Sequence, residues 1–377
     1  MIYLDNSATT CVSDRAAKKA FEVMRENFGN PSSLHSLGFK AEMEIKNAKR
    51  IIASALSCRE GEIYFTSGGT EANNTAIIGT ANAKKRQGNK IVISAFEHSS
   101  VISAADYLSQ NGFEVIKLVP DKNGVITPDM VAGAVDDKTI LVSVMLVNNE
   151  IGSLMDIATI AAAARRKNAK VTVHCDAVQA FGKIPVHTGR LGVDLLTITA
   201  HKICGPKGVG ALFVKKGTRI DPIIFGGEQQ NKFRPGTENA AGIAAFGIAT
   251  EDSVKTMAEN FKNAKELKAQ LISGLEKIDK IEINSQNDSF PYIVNFSTMQ
   301  IKSETLMHFL EQKEIYVSGG SACAKGNRSH VLSSLSLSDK AIDTAIRVSF
   351  CGENTKEDVD TLLEALKEAI DTLQKIK

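Results

Sequence analysis

Apolar residues along the first two-thirds of the chain fall in short runs, each closed by glycine or a polar turn. EIYFTSGG (62–69) passes from a β-rich run into paired glycines. EANNTAIIGTANAKKRQG behind it reads as a helix ending near Gly88. KIVISAFEH and SSVISAADYLSQNG repeat the strand-then-helix order, and FEVIKLV follows, closed by the turn DKNG. Thr127-Pro128 opens another helix, with a capping hydroxyl before a proline that fits the first helical position. TILVSVMLV, KVTVHCD, LLTITA and GALFVKK continue the series. Short β-rich runs alternating with helices predict an α/β domain with a mainly parallel sheet. The ligand of such a sheet belongs at the carboxyl ends of its strands.

The pattern changes near residue 250. Residues 251–278 predict a long charged helix with Leu267, Leu271 and Leu275 on one face. The short strands IEINS, YIVNFS and IYVSG come next. A last helix starts at a capping box, Thr355 to Asp358, and turns Leu362, Leu363, Leu366 and Ile370 inward. This end of the chain predicts a smaller α+β domain.

Composition narrows the class. A chain of 377 residues is long enough for two to three domains, and 43% apolar with 23% charged residues is ordinary for a globular protein. A net charge of +2 offers no basic field for nucleic acid or an anionic membrane, so neither partner is expected. The first residues, MIYLDNSATTCVSD, lack the basic and apolar regions of a signal peptide, and no apolar run is long enough to span a bilayer. Six scattered cysteines without a CxxC pair point to free thiols in a reducing cytoplasm, and no metal-ligand spacing occurs among cysteines and histidines.

Candidate chemistry sits at the predicted strand ends. Gly68-Gly69-Thr70 places backbone N–H groups and a helix N-terminus where a phosphate binds. His98 ends KIVISAF, where an imidazole can stack on a flat cofactor or move protons. Asp176 ends KVTVHC, suited either to hold a protonated ring nitrogen or to cap the next helix. Lys202 follows LLTITA, and a buried lysine there can serve as an amine nucleophile. Phosphate cradle, imidazole, acid and lysine on separate strands of one sheet suit one cofactor, pyridoxal phosphate: the lysine forms its Schiff base and the acid holds its ring nitrogen. Cys323 lies apart, in the small-residue stretch SGGSACAKG (318–326).

Ten stretches match one family end to end: YLDNSATT, FGNPSSLHSLG, FTSGGTEANN, EHSSV, VNNEIG, HCDAVQAFGK, TAHKICGPKGVGAL, FRPGTEN, SGGSACAKG and AIRVSF. The chain closely resembles the cysteine desulfurases, within the class V aminotransferases of fold-type-I pyridoxal-phosphate enzymes. The resemblance implies a mainly parallel seven-stranded sheet flanked by helices in a large domain (13–255). Residues 1–12 and 256–377 would form a small domain carrying the Cys323 loop. It implies Lys202 as the cofactor's lysine, Asp176 on the pyridine nitrogen, Gln179 on the ring hydroxyl and His98 on the ring face. Gly69, Thr70, Thr199 and His201 would hold the phosphate, and Thr237 would reach the phosphate of a neighbouring subunit, which makes a homodimer with shared sites. Asn149 and Arg347 would hold the substrate, with Arg347 on its carboxylate.

The implied reaction is removal of sulfur from L-cysteine to give L-alanine and a persulfide on Cys323. The sulfur is then passed to an acceptor protein. Iron–sulfur cluster assembly, tRNA thiolation and related pathways all stay open as the acceptor's role. Two other readings stay open: another class V enzyme, such as an aminotransferase or selenocysteine lyase, and a non-catalytic sulfur-relay scaffold. Because the thiol must meet both a buried substrate and an acceptor, high mobility is expected around Ala324–Asn327.

Overall fold

The computed structural model of the chain describes residues 1–319 and 328–375. The expected mobility around Ala324–Asn327, and Cys323 itself, lie outside the described residues. In chain order the strands are β1 (Ile2–Tyr3), β2 (Ile63–Thr66), β3 (Lys90–Ser94), β4 (Glu114–Leu118), β5 (Thr139–Ser143) and β6 (Thr172–Asp176). Then come β7 (Leu195–Thr199), β8 (Gly210–Val214), β9 (Glu282–Ile283), β10 (Ile293–Ser297), β11 (Ile315–Tyr316) and β12 (Ala345–Ser349). The helices are α1 (Asp14–Arg25), α2 (Ser36–Leu56), α3 (Gly69–Lys84), α4 (Ser99–Gln110), α5 (Pro128–Ala134) and α6 (Ile157–Lys167). They continue as α7 (Thr188–Leu191), α8 (Ala240–Leu275), α9 (Ser303–Gln312), α10 (His330–Ser334), α11 (Asp339–Asp343) and α12 (Lys356–Thr372).

Among the described residues, seven strands form the large sheet in the order β2-β8-β7-β6-β5-β3-β4. Every pairing is parallel except those of β8, which runs antiparallel to both β2 and β7. β5 to β8 are buried along their whole length. That burial explains their near-continuous apolar runs, since helices cover both faces of such a sheet. The one large polar intrusion, His174, is satisfied across the sheet: Nδ1 meets Ser143 Oγ at 2.8 Å and Nε2 meets Thr197 Oγ1 at 3.1 Å. Burial pushes this imidazole down to about 3, so it stays neutral.

Because β2, β3, β5, β6 and β7 are mutually parallel, Thr66, Ser94, Ser143, Asp176 and Thr199 finish on one edge, where the site lies. A tight turn at that edge depends on glycine. Gly68 precedes α3 at φ +153°, and a Cβ on Gly210 would sit 2.9 Å from the Gly68 Cα.

β9, β10 and β12 form a small antiparallel sheet, in the order β12-β10-β9, and β1 pairs in parallel with β11. An isolated bridge from Asp5 to Ser349 lays the N-terminal segment beside β12. From there, residues 7–13 run to the large sheet, where Thr10 N donates to the His201 carbonyl at 2.9 Å.

The long helix starts earlier than its charge pattern predicts. α8 begins at Ala240, with Asn239 capping it through a 3.0 Å bond from Gly242 N, and runs 36 residues without a break. Its first part, AAGIAAFGIAT, carries no charge until Glu251 and is buried on nearly every side, so it shows no amphipathic period. Gly247 makes that burial feasible, because a Cβ there would stand 2.8 Å from Ala48 of α2.

Candidate active site

A cavity of about 270 Å³ opens at the carboxyl edge of the large sheet. Ten of the twelve residues singled out in the sequence line it: Gly69, Thr70, His98, Asn149, Asp176, Gln179, Thr199, His201, Lys202 and Arg347. Thr237 does not; it is exposed, beyond a loop that Arg234 ties to α3 by bonds to Glu71 at 2.8 and 3.1 Å. Cys323 lies outside the described residues.

Lys202 follows β7 in a short 3-10 turn and is buried. Its Nζ donates to the carbonyls of Ser7 and Ala8, the latter at 2.6 Å. Burial, Arg347 and Lys183 push the amine from 10.5 down to about 7. Near neutral pH about half of it is therefore the free base, the form that adds to a carbonyl.

Asp176 ends β6. Its Oδ1 accepts from Val178 N at 2.9 Å, and its Oδ2 accepts from Asn73 Nδ2 at 2.7 Å. Asn73 also donates to Ser100 Oγ at 2.9 Å, and Ser100 Oγ is 2.8 Å from His98 Nδ1. Ser100 N donates to the same nitrogen at 3.2 Å. With Nδ1 accepting, the proton of a neutral His98 sits on Nε2. Burial, Lys202 and His330 lower the His98 pKa against the pull of Asp176, which keeps the ring a base.

His201 is lowered to about 4 by burial, then by Lys202 and Lys207, so it meets an anion as a neutral donor. Arg347, 1% exposed, donates through Nη2 to Asp5 Oδ1 at 2.7 Å and through Nη1 to the Asn149 carbonyl at 2.9 Å. Its Nε has no partner among the described residues.

Sequence reasoning passed over Asn73, Ser100, Asp5 and the carbonyls of Ser7 and Ala8. Asn73 was within reach: it sits one helical turn after Gly69-Thr70, on the same face of α3. The others had no local signal, since contacts between residues 5–8 and 202 or 347 are set by the fold alone.

The aminotransferase class-V family model matches residues 2–362. The chain belongs to the class-V aminotransferase family. Among this class-V chain's relatives, the cysteine desulfurase IscS of Methanosarcina thermophila is 41% identical over 376 residues, 99% of this chain and 93% of the relative. The IscS of Dictyoglomus turgidum is 39% identical over 379 residues, 100% and 96% of the two chains. A solved NifS-like protein superposes with a TM-score of 0.94 at 35% identity, over 99% of this chain and 100% of its own. SspA, solved in complex with cysteine, gives 0.83 at 28% identity over 94% of this chain and 100% of its own.

Enzymes of the class-V family work with pyridoxal phosphate, and the cavity fits that cofactor. Ser7 Oγ, Asn73 Oδ1, Asn149 Oδ1, Gln179 Oε1 and Arg347 Nε are buried there without a partner among the described residues. Buried polar atoms are rarely left unpaired, so a cluster of them marks a polar ligand's place. The first-turn N–H groups of α3, at Gly69 and Thr70, have no intrahelical partners and favour an anion.

Proposed function

We propose that this chain is a cysteine desulfurase that takes the sulfur of L-cysteine, leaves L-alanine, and holds the sulfur as a persulfide on Cys323 for an acceptor protein. The observation that carries the reading is Lys202: a buried amine, pushed down to about 7, in a cavity that also holds Asp176, His98 and Arg347. The full-length similarity to IscS proteins supports the same reaction.

When bound, pyridoxal phosphate supplies a conjugated electron sink for charge developing at the substrate's Cα. Gly69, Thr70, Thr199 and His201 would hold its phosphate, and Gln179 Oε1 offers the free acceptor that a ring hydroxyl needs. Asp176, braced by Asn73, would keep a proton on the ring nitrogen. Arg347 has guanidinium donors left after Asp5 and Asn149, and these take the substrate carboxylate with Asn149 beside them. Lys202 would hold the cofactor, and its Nζ, as a neutral amine, would move the Cα proton. His98, a neutral base, accepts thiol protons. Cys323 Sγ then attacks the substrate sulfur: an S–S bond forms, the Cβ–S bond breaks, and its electron pair stays with Cβ, which takes a proton.

Four of the other five cysteines suit this role less well. Burial raises the thiol pKa of Cys58, Cys175, Cys204 and Cys351, and the thiolate is the nucleophile. Thr237, which is exposed, would serve the cofactor phosphate of a second copy. Phe21, Met24, Phe28, Phe39 and Met43 are exposed on and between α1 and α2, an apolar face that a homodimer would cover. In this reading the large domain spans residues 13–255 and the small domain residues 1–12 and 256–377, so the two would meet within α8. No described helix is long and apolar enough to cross a membrane, and a cytoplasmic location with delivery to iron–sulfur assembly or tRNA thiolation completes the reading. The test is alanine formation from L-cysteine by the holoenzyme, which Cys323→Ser abolishes. Undiminished alanine from that variant refutes the reading.

A further inference from the structure

The chain on either side of residues 320–327 is tied to the rim of the cavity. Upstream, Ser318 and Arg347 exchange backbone bonds, Ser318 N to Arg347 O at 3.1 Å and Arg347 N to Ser318 O at 2.7 Å. Downstream there are two ties. Ser329 Oγ donates to Glu150 Oε2 at 2.5 Å while accepting from Leu332 N at 3.1 Å. His330 Nε2 donates to the Glu97 carbonyl at 2.8 Å. Glu150 follows Asn149 and Glu97 precedes His98, so both downstream ties end on sequence neighbours of cavity residues.

Glu150 is fully buried, and Ser329 is the one side chain that bonds its carboxylate among the described residues; Oε1 has no partner. Burying a carboxylate so sparsely paired is unfavourable, which makes it a poor device for stability alone. Its base is rigid. Asn148 Oδ1 accepts from Glu150 N at 2.9 Å and from Ile151 N at 3.0 Å, and Val147 bridges Leu154 across the turn.

We propose that Glu150 and His330 are positioning residues for sulfur transfer, holding the downstream root of the Cys323 segment against the cavity rim. The proposal rests on the desulfurase reading. Cys323 is six positions before Ser329, a reach of at most about 20 Å at roughly 3.3 Å per residue. A segment fixed at both ends keeps its thiol at a high effective concentration near the substrate; freeing one root dilutes it. The role is specific to the step in which Cys323 attacks, so cofactor and substrate binding are left alone.

The test is single-turnover persulfide formation by the holoenzyme mixed with L-cysteine, with the absorbance change on cysteine binding followed separately. Glu150→Ala and His330→Ala should each slow persulfide formation about tenfold, the order expected for losing one hydrogen bond of this kind. Cofactor absorbance and the cysteine-binding constant should stay at wild-type values. Glu150→Gln and His330→Gln retain an acceptor and a donor and should recover most of the rate. Arg328→Ala, which breaks exposed pairs with Asp339 and Asp343, should stay within about twofold of wild type. Should Glu150→Ala not yield folded holoenzyme, Ser329→Ala carries the same expectation, with Ser329→Thr as its rescue. Alanine variants at wild-type rates, glutamine variants no better than alanine, or cysteine binding lost in step with the rate each overturn the proposal. Cys323→Ser that still makes alanine overturns the underlying reading and this proposal with it. An inactive Cys323→Ser beside fully active Glu150→Ala and His330→Ala overturns this proposal alone.

Discussion

Replacing Lys183 with methionine is predicted to shift the pH at which cofactor-free protein takes up pyridoxal phosphate. Lys202 attacks an aldehyde only as a neutral amine. Burial first, then the charges of Arg347 and Lys183, bring it from 10.5 to about 7. At pH 7.5 an amine titrating near 7 is roughly three-quarters neutral, whereas one at 10.5 is neutral to about one part in a thousand. The neutral form dominates above the pKa, so the uptake rate should rise with pH and level off above about 7.

Lys183 is itself buried and lowered to about 8, with its ammonium over the Tyr292 ring at 5.5 Å. Below that pH it is charged and opposes a proton on Lys202. Methionine keeps an unbranched stem and removes the charge, so the Lys202 pKa rises and the plateau moves to higher pH. Each pH unit of displacement corresponds to about 1.4 kcal/mol of interaction between the two amines. Stopped-flow absorbance of uptake between about pH 5 and pH 10 reads this directly, and titration of the free cofactor is common to both proteins. A wild-type rate that keeps climbing tenfold per pH unit through about pH 9, or superimposed profiles for the two proteins, would refute the reasoning.

Glu97 is fully buried, and burial raises its carboxyl to about 8. The folded chain thus holds a proton that the unfolded chain releases above about 4.5, and this group's contribution to stability falls as pH rises through that window. Glu97→Gln keeps acceptors for Ser94 Oγ and Met145 N, and in urea denaturation it should gain on wild type between about pH 5 and 8, by on the order of a few kcal/mol. A difference that does not change with pH contradicts this. Sedimentation should show a dimer, and Phe28→Asp, which charges the exposed face at a residue 65% exposed, should shift it toward monomer with loss of activity. A fully active wild-type monomer rules out shared sites.

Much of the candidate site was legible because each strand-end residue carries a local mark. Lys202 stands between an apolar strand and a Gly/Pro turn, Asp176 ends KVTVHC, and Gly68-Gly69 opens a helix. The supporting shell was not legible. Asp5 reaches Arg347 across 342 residues, and Lys202 reaches the carbonyls of residues 7 and 8 across nearly 200. Pairings of that span leave no periodicity. The early start of α8 was hidden for another reason: a helix buried on nearly every side loses the polar face by which helices are recognised.

The central claim is that one thiol of six carries the sulfur. The most direct measurement is alanine produced from L-cysteine by holoenzyme variants in which each cysteine is replaced in turn by serine. Cys323→Ser should lose alanine formation by about a hundredfold or more while keeping the cofactor's absorbance, since without a sulfur acceptor the C–S bond has nothing to break against. The variants at Cys11, Cys58, Cys175, Cys204 and Cys351 should keep it. Full alanine production by Cys323→Ser, or its loss on replacing one of the other five alone, contradicts the account.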